Sequence, residues 1–311
     1  MKKLLISVFQ YVVMVFVSVG FISSCAFDDP EDVYPYTSVS FAYQDYNRNI
    51  VVGEGLQLNA GIVFAGRLNN DEDRSVNYVV DPSLLTDVAG KSILPEAYYR
   101  LGNSSQIVIP RDDFRGYLSI VMDSAAFLSD PKALTGEYVL PLRLVSAAGV
   151  DTILPEKSSI RMSISYFGKQ HGYYYYSGEM DKIMDGVIYE SSAYSYITTE
   201  TDSRRFIQTA GPTLFRVGAD ARNPADPANS VLFSIGVPIT GTSVTFVSDP
   251  ASPYEVRPSG TSAYDPATRT FHLEYEWTLE DGTVCRVVED MVFRNRIRDD
   301  QGNGIYLNEW R

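Results

Sequence analysis

The sequence predicts an all-β protein: an antiparallel β-sandwich followed by a second antiparallel β domain, either a sandwich or a lipocalin-like up-and-down barrel. Three observations carry this. Short apolar or alternating stretches recur along the chain with Gly, Asn, Asp or Pro between them, the pattern of strands joined by turns. Only two stretches suit helices, "DPSLLTDV" and "DSAAFLSDPKAL", and both are too short for a helical domain. About 286 residues follow an N-terminal leader, enough for two domains of ordinary size.

The leader comes first in the chain. Lys2 and Lys3 form a basic start, "LLISVFQYVVMVFVSVGFI" is an apolar run, and "SSC" ends it with small residues, which is the layout of a cleavable signal peptide over residues 1–25. An uncleaved anchor helix is the competing reading of an apolar run this long. "ISSC" resembles the lipobox of bacterial lipoproteins, and that resemblance implies lipidation of Cys25. Acyl chains contribute about 0.8 kcal/mol per buried methylene, and several chains hold a soluble domain on a membrane. The next segment, "AFDDPED", gives an acidic tether over residues 26–34. It looks like the export signal that carries Bacteroidota lipoproteins to the outer face of the outer membrane, although a solvated acidic linker has the same composition.

The chain carries 26 Lys+Arg against 39 Asp+Glu, a formal net charge of −13. Such a balance disfavours nucleic acid and anionic lipid headgroups, which require basic patches. With Cys25 lipidated, Cys285 is left without an intramolecular partner, so hydrophobic cores must supply the stability. Cys285 lies in "TVCRVVEDMVF" among strand-forming residues and is expected to pack as a small hydrophobe.

Within residues 35–167, "TSVSFAYQ", "LQLNAGIVF", "RSVNYVV", "SQIVIP", "GYLSIVM", "GEYVLPLRLVS" and "SSIRMSISY" read as seven strands of a sandwich. "SYFGKQHG" breaks the pattern with Gly168 and Gly172, and the domain boundary is expected there. A second domain over residues 172–311 opens with "YYYYSGEM" and continues through at least eight strand-like stretches. Among them "FHLEYEWTLEDGTVCRVVEDMVF" is a hairpin, with Asp281-Gly282 supplying the turn. "ADARNPADPANS" and "SDPASPYEVRPSG" are loops long enough to line a site.

Two parts of the chain are similar to known proteins. "LPEAYY" at 94–99 and "YVLPLRL" at 138–144 resemble the N-terminal Ig-like domain of Bacteroidota surface lipoproteins, a resemblance that spans roughly Val33 to Tyr166. "GYYYYSG" and "NGIYLNEW" resemble the all-β C-terminal domain often joined to it. The resemblance implies an Ig-like sandwich acting as spacer and a role in glycan capture beside an outer-membrane glycan transporter. It carries over no individual binding residue.

The tyrosines are the candidate chemistry. Side chains alternate faces along a strand, so Tyr173 and Tyr175 share one face and Tyr174 and Tyr176 the other. Flat aromatic rings pack on the C–H faces of sugars, and Tyr adds a hydroxyl. Tyr174, Tyr176, Tyr194, Tyr196 and Trp310 are therefore the candidate glycan-binding residues, with core packing or a domain seam as the competing role for each. In the hairpin, Leu273, Tyr275, Trp277 and Leu279 share one face and His272, Glu274, Glu276 and Thr278 the other, which places Trp277 in the core.

Enzymatic chemistry lacks its parts. Glu274 and Glu276 lie about 6–7 Å apart, but they project in the same direction from one strand, whereas a glycosidase needs carboxylates on opposite sides of a bond. With two His and no HExxH, GxSxG or GxxxxGK[ST] motif, no metal, nucleophile or phosphate-loop chemistry is expected and no cofactor is implied. "NNDEDRS" and "ADARNPAD" hold oxygen ligands without EF-hand spacing and read as solvated loops. The expected activity is non-catalytic binding of a polysaccharide or oligosaccharide by an outer-membrane lipoprotein facing the cell exterior. The alternative is an adhesin or fimbria-like subunit assembling through β-strand contacts.

Overall fold

The structure, a computed structural model, describes residues 36–195, 205–217 and 231–295. It is nearly all β, built from two packed sheets followed by one large curved sheet.

The first part contains β1 (Ser38–Phe41), β2 (Asp45–Val52), β3 (Gln57–Ala65), β4 (Arg74–Val80), β5 (Ser92–Ile93), β6 (Tyr99–Leu101), β7 (Gln106–Ile109), β8 (Arg115–Met122), β9 (Tyr138–Ala148), β10 (Thr152–Ile153) and β11 (Ser159–Gly168). One sheet runs β10-β1-β3-β8-β6 and the other β2-β11-β9-β4-β7, with β5 beside β9. Alternation explains both sheets. Along β3, Leu58, Ala60, Ile62 and Phe64 are buried while the residues between them are not, and β8 buries Leu118, Ile120 and Met122 in the same way. These side chains meet Leu140, Leu142, Ile160, Met162 and Ile164 from the facing sheet in a single core.

Both expected helical stretches fold as short helices, Ser124–Leu128 as an α-helix and Pro82–Leu85 and Pro131–Leu134 as 3-10 helices. Asp81, Asp123 and Asp130 cap Pro82–Leu85, Ser124–Leu128 and Pro131–Leu134, each accepting bonds from backbone N–H groups one turn on.

Three pairings depart from a purely antiparallel sandwich: β1 with β10, β5 with β9 and, over the longest stretch, β2 with β11, all parallel. β1 pairs antiparallel with β3 only from Ser38 to Phe41, opposite Ala65 to Ile62. The chain then leaves that sheet and runs as β2 parallel to β11, from Asp45 beside Arg161 to Val52 beside Gly168. Asp45 accepts two bonds from the Arg161 guanidinium at 2.6 Å, which fixes the parallel register. Alternation within a strand does not encode partner direction, so this pairing was not visible in the sequence.

The second part contains β12 (Gly172–Met184), β13 (Val187–Ser195), β14 (Arg205–Thr209), β15 (Leu214–Val217), β16 (Phe233–Gly236), β17 (Thr245–Ser248), β18 (Arg257–Pro258), β19 (Ala263–Asp265), β20 (Thr270–Thr278) and β21 (Val284–Asn295). The order is β17-β16-β15-β14-β12-β21-β20-β18, with β13 beside β12 and β19 beside β20. The two ends of this sheet approach each other. Ser243 bridges Ala263, the Tyr264 N–H donates to Thr242 O at 2.7 Å, and the Val256 N–H donates to Ser248 Oγ at 2.8 Å. Of the two architectures left open by the sequence, the sheet adopts the barrel-like one. The β20–β21 hairpin turns at Asp281-Gly282 as expected, with Gly282 at φ +89° and the Leu279 N–H bonded to Thr283 O. Trp277 and Cys285 are buried inside the barrel.

Gly168 and Gly172 join the two parts. The Gly168 N–H donates to Thr209 Oγ1, the Thr209 N–H donates to His171 Nδ1 at 3.1 Å, and Arg269 Nη2 donates to Lys169 O at 2.8 Å. His171 packs between Phe167 and Phe206. The five-residue connection is thus bonded into the barrel along its length.

Candidate functional site: an aromatic cleft in the first domain

The tyrosine run does not form a surface platform. β12 lies between β21 on one side and β13 and β14 on the other, and from Gly172 to Met180 its buried side chains, Tyr174, Tyr176 and Met180, point into the barrel. Tyr174 is fully buried and Tyr176 is 4% exposed. Tyr174 donates its hydroxyl to Gln170 O at 2.7 Å and packs on Phe271 and Phe293. The exposed phase of the run belongs to Tyr173 and Tyr175, both half-buried. Tyr173 packs on Phe206, and the Tyr175 hydroxyl accepts from Arg294 Nε at 3.0 Å. The assignment of Tyr174 and Tyr176 to glycan contact is therefore corrected: their ring faces are used by the core. Tyr194 is half-buried and donates its hydroxyl to Glu289 Oε2 at 2.8 Å, which commits it to the barrel interior as well. Tyr196, Trp310 and the lipidation candidate Cys25 lie outside the described residues.

The barrel interior holds an ion pair. Arg205 bonds Glu289, both side chains being fully buried. Tyr275 donates to Glu289 Oε1 at 3.1 Å, and the Arg205 guanidinium lies 4.3 Å from the centre of the Tyr176 ring. Burial opposes the Arg205 charge, but the Glu289 carboxylate outweighs it and the pKa stands above the ordinary value. Burial first, then the same carboxylate, raises the Tyr194 and Tyr275 hydroxyls. Gly178 pairs with Tyr194 on one side and Glu289 on the other. A Cβ there would stand 2.6 Å from Glu289 Cβ, so the glycine makes room for the cluster.

On the barrel surface, His272 Nδ1 meets Asp290 at 2.8 Å and His272 Nε2 meets Glu274 at 3.2 Å, while Glu276 pairs with Arg286. In the loop at 69–75, Asp71 and Glu72 pair with Arg74, and Asp73 accepts the Arg111 N–H. The loop carboxylates are thus taken up within the protein, and no group of metal-ligating side chains occurs among the described residues.

The open site lies in the first domain. Where the chain leaves β1 after Phe41, parting from β3, to become β2, a cleft of about 470 Å³ opens between the sheets. Its floor is apolar, made by Ala60, Ile62, Ile160 and Met162, and Tyr43, Tyr46 and Tyr117 stand at its margins. Tyr43 and Tyr46 stack with centroids 4.8 Å apart and planes 13° apart. Tyr43 is 52% exposed and Tyr117 is 51% exposed. Tyr117 lies across from Gly61 in the β3–β8 ladder, where a Cβ would stand 3.4 Å from its ring. Arg48, Arg115 and Asn59 add polar groups. Arg48 Nη2 reaches Asn59 O at 3.5 Å, the outer limit of a hydrogen bond, and its guanidinium lies 4.6 Å from the centre of the Tyr46 ring. Exposed tyrosine faces over an apolar floor, with donors at one side, can receive a ring that is apolar on its faces and polar at its rim.

Sequence reasoning placed binding in the second domain and missed this cleft. Two signals were present. Tyr117 stands out of phase with the buried Leu118, Ile120 and Met122, so a large aromatic occupies the solvent side of a strand. Arg48 stands in phase with Ile50, so a charge occupies a core position.

A family model described as "-like, N-terminal domain" matches residues 34–151, the part that forms most of the sandwich and most of the cleft. No curated protein matches the chain. A Bacteroides ovatus protein of unknown function is similar in structure, with a TM-score of 0.66 at 18% identity, covering 83% of this chain and 95% of its own. A multidomain protein including DUF1735, also from Bacteroides ovatus, gives a TM-score of 0.41 at 14% identity over 82% of this chain and 93% of its own. An auxiliary nutrient binding protein from Bacteroides thetaiotaomicron gives 0.40 at 16% identity over 80% of this chain and 90% of its own. The first of these likenesses extends over both parts of the chain: this is a two-part, all-β protein whose fold recurs in Bacteroides.

Proposed function

We propose that the protein is a non-catalytic, lipid-anchored surface protein that binds polysaccharide, with the cleft of the first domain receiving the sugar. The observation that carries this reading is the group Tyr43, Tyr46 and Tyr117 around an open apolar floor. Cys25 is the acylated residue, the acidic segment 26–34 spaces the fold from the outer membrane, and the cell exterior is where the cleft works, beside a glycan transporter. The non-catalytic part of the reading is supported by the carboxylates of β20: Glu274 is engaged by His272 and Glu276 by Arg286. Affinity electrophoresis of the mature chain carrying Cys25→Ser, in gels each containing one polysaccharide, tests the proposal. Retardation by at least one glycan, abolished by Tyr43→Ala with Tyr117→Ala, is expected. Retardation that survives both substitutions would move the site elsewhere, and none with any glycan would end the carbohydrate reading.

A second reading, an assembling subunit, is favoured by β13. Among the described residues it pairs with β12 alone, and Val187 and Ile188 are exposed on it, the profile of an edge open to strand addition. Light scattering over a concentration series separates the two readings, because assembly through this edge gives a mass that grows with concentration.

A further inference from the structure

We propose that the cleft is selective for an acidic polysaccharide and that Arg48 receives its carboxylate or sulfate group. This inference rests on the carbohydrate reading above and narrows it to a substrate class.

Three arginines are buried among the described residues, and all three are built alike on one side. Arg74 lies over Phe64 at 4.2 Å, Arg205 over Tyr176 at 4.3 Å and Arg48 over Tyr46 at 4.6 Å. They differ on the other side. Arg74 pairs with Asp71 and Glu72 and donates to Asn70 Oδ1 at 2.7 Å. Arg205 pairs with Glu289. Arg48 is 7% exposed and has no carboxylate partner among the described residues; its Nε is enclosed and unbonded, and its one hydrogen bond is the long contact to Asn59 O. The nearby Asp45 is held in both oxygens by Arg161.

A guanidinium withdrawn from water without a counter-charge is costly, and a chain with 39 acidic side chains has had ample means to supply one. Arg48 instead borders the open cleft. Its planar donor fork matches a carboxylate or sulfate in two parallel bonds, and the adjacent tyrosines provide the faces on which a sugar ring carrying that group would lie. Arg115, at the same cleft, adds a second positive charge that its contact with Asp113 at 3.8 Å only partly offsets. The net charge of −13 opposes a polyanion at long range, so the cationic spot acts through short-range contacts.

The test follows the Arg48 side chain directly. The mature chain with Cys25→Ser is labelled with 15N-arginine, and sodium glucuronate, sodium sulfate and glucose are titrated separately while the Arg48 Nε–H resonance is observed. A saturable shift with glucuronate or sulfate, at least tenfold weaker with glucose, is expected; whichever anion binds better identifies the acidic group. The shift should exceed that of Arg67 or Arg100, and equal shifts at all arginines would overturn the proposal as unspecific anion binding. A cleft that responds to glucose as well as to the anions would overturn the acidic preference and leave the carbohydrate reading standing. A cleft silent to all three would overturn the role of Arg48, while the polysaccharide gels decide the carbohydrate reading separately. Polygalacturonate against neutral galactan then gives the polymer comparison. Arg48→Gln should weaken polygalacturonate retention about tenfold or more and Arg48→Lys less, since Lys keeps the charge and loses the fork. Thermal unfolding of both variants verifies that the fold is retained, and unchanged retention by folded Arg48→Gln would refute the role of Arg48.

Discussion

Individual side chains divide into those that hold the barrel and those that face the cleft, and the division is testable by pairs of substitutions. Tyr174→Ala empties a fully buried position that packs on Phe271 and Phe293. A loss of about 3–5 kcal/mol of stability is expected, as for other large buried aromatics, with any effect on glycan affinity following from unfolding alone. Tyr117→Ala removes a half-exposed ring and should leave stability within about 0.5 kcal/mol. Glycan affinity should fall several-fold, corresponding to about 1 kcal/mol for one aromatic face. Chemical denaturation and affinity electrophoresis of the two variants must give opposite profiles. Glu289→Gln removes the counter-charge of Arg205 in the barrel interior. Breaking a buried pair on one side costs about 3–5 kcal/mol, so the denaturation midpoint should drop far more than for Tyr275→Phe, which removes a single hydrogen bond worth about 1 kcal/mol.

At the scale of elements, the β20–β21 hairpin carries a pH-dependent contribution. The bond to Asp290 raises the His272 pKa above its ordinary 6.5, partial burial pulls it down, and Glu274 adds to the rise. A pKa raised in the folded state means that the charged form stabilises the fold. The contribution is complete below about pH 6.5 and fades as pH climbs through the raised folded value. The melting temperature of the protein relative to His272→Gln should therefore be higher at about pH 6 than at about pH 8.5, and a difference independent of pH would contradict the bond to Asp290. Within β12, Gly178→Ala forces a methyl against Glu289 and the β21 backbone. A loss of about 1–3 kcal/mol is expected from overpacking, read by chemical denaturation.

For the whole molecule, the short connection between the two parts decides how they move. A Cβ at Gly168 would stand 2.5 Å from Phe215 Cζ, and Gly172 adopts φ +147° with Asn295 O close by. Only glycine allows both approaches. Limited proteolysis should spare residues 168–172 in the native protein, although they lie between two domains, because their backbone is bonded to Thr209 and Arg269. Gly168→Val should push Phe215 away and make the same segment a cleavage site. Early cleavage there in the native protein would mean that the two parts are joined loosely.

Much of this was legible from local pattern. Alternation in "HLEYEW" put Trp277 in the core, Asp281-Gly282 marked the hairpin turn, and "DPSLLTDV" and "DSAAFLSDPKAL" marked the short helical segments, because each depends only on residues a few positions apart. The same pattern divided the tyrosine run into two faces and stopped there. Which face turns inward depends on β21 and β14 lying beside β12, and those strands come from residues more than 30 positions away. The cleft required still more: β1 had to part from β3 at Phe41 and cross to β11, bringing Tyr43, Tyr46 and Arg48 over Gly61 and Tyr117. The sequence alone determined an all-β chain rich in exposed and buried tyrosine, because side-chain period is local. Tertiary structure alone decided which tyrosines face the cleft and which buried arginine has no carboxylate partner among the described residues, because both follow from long-range strand pairing.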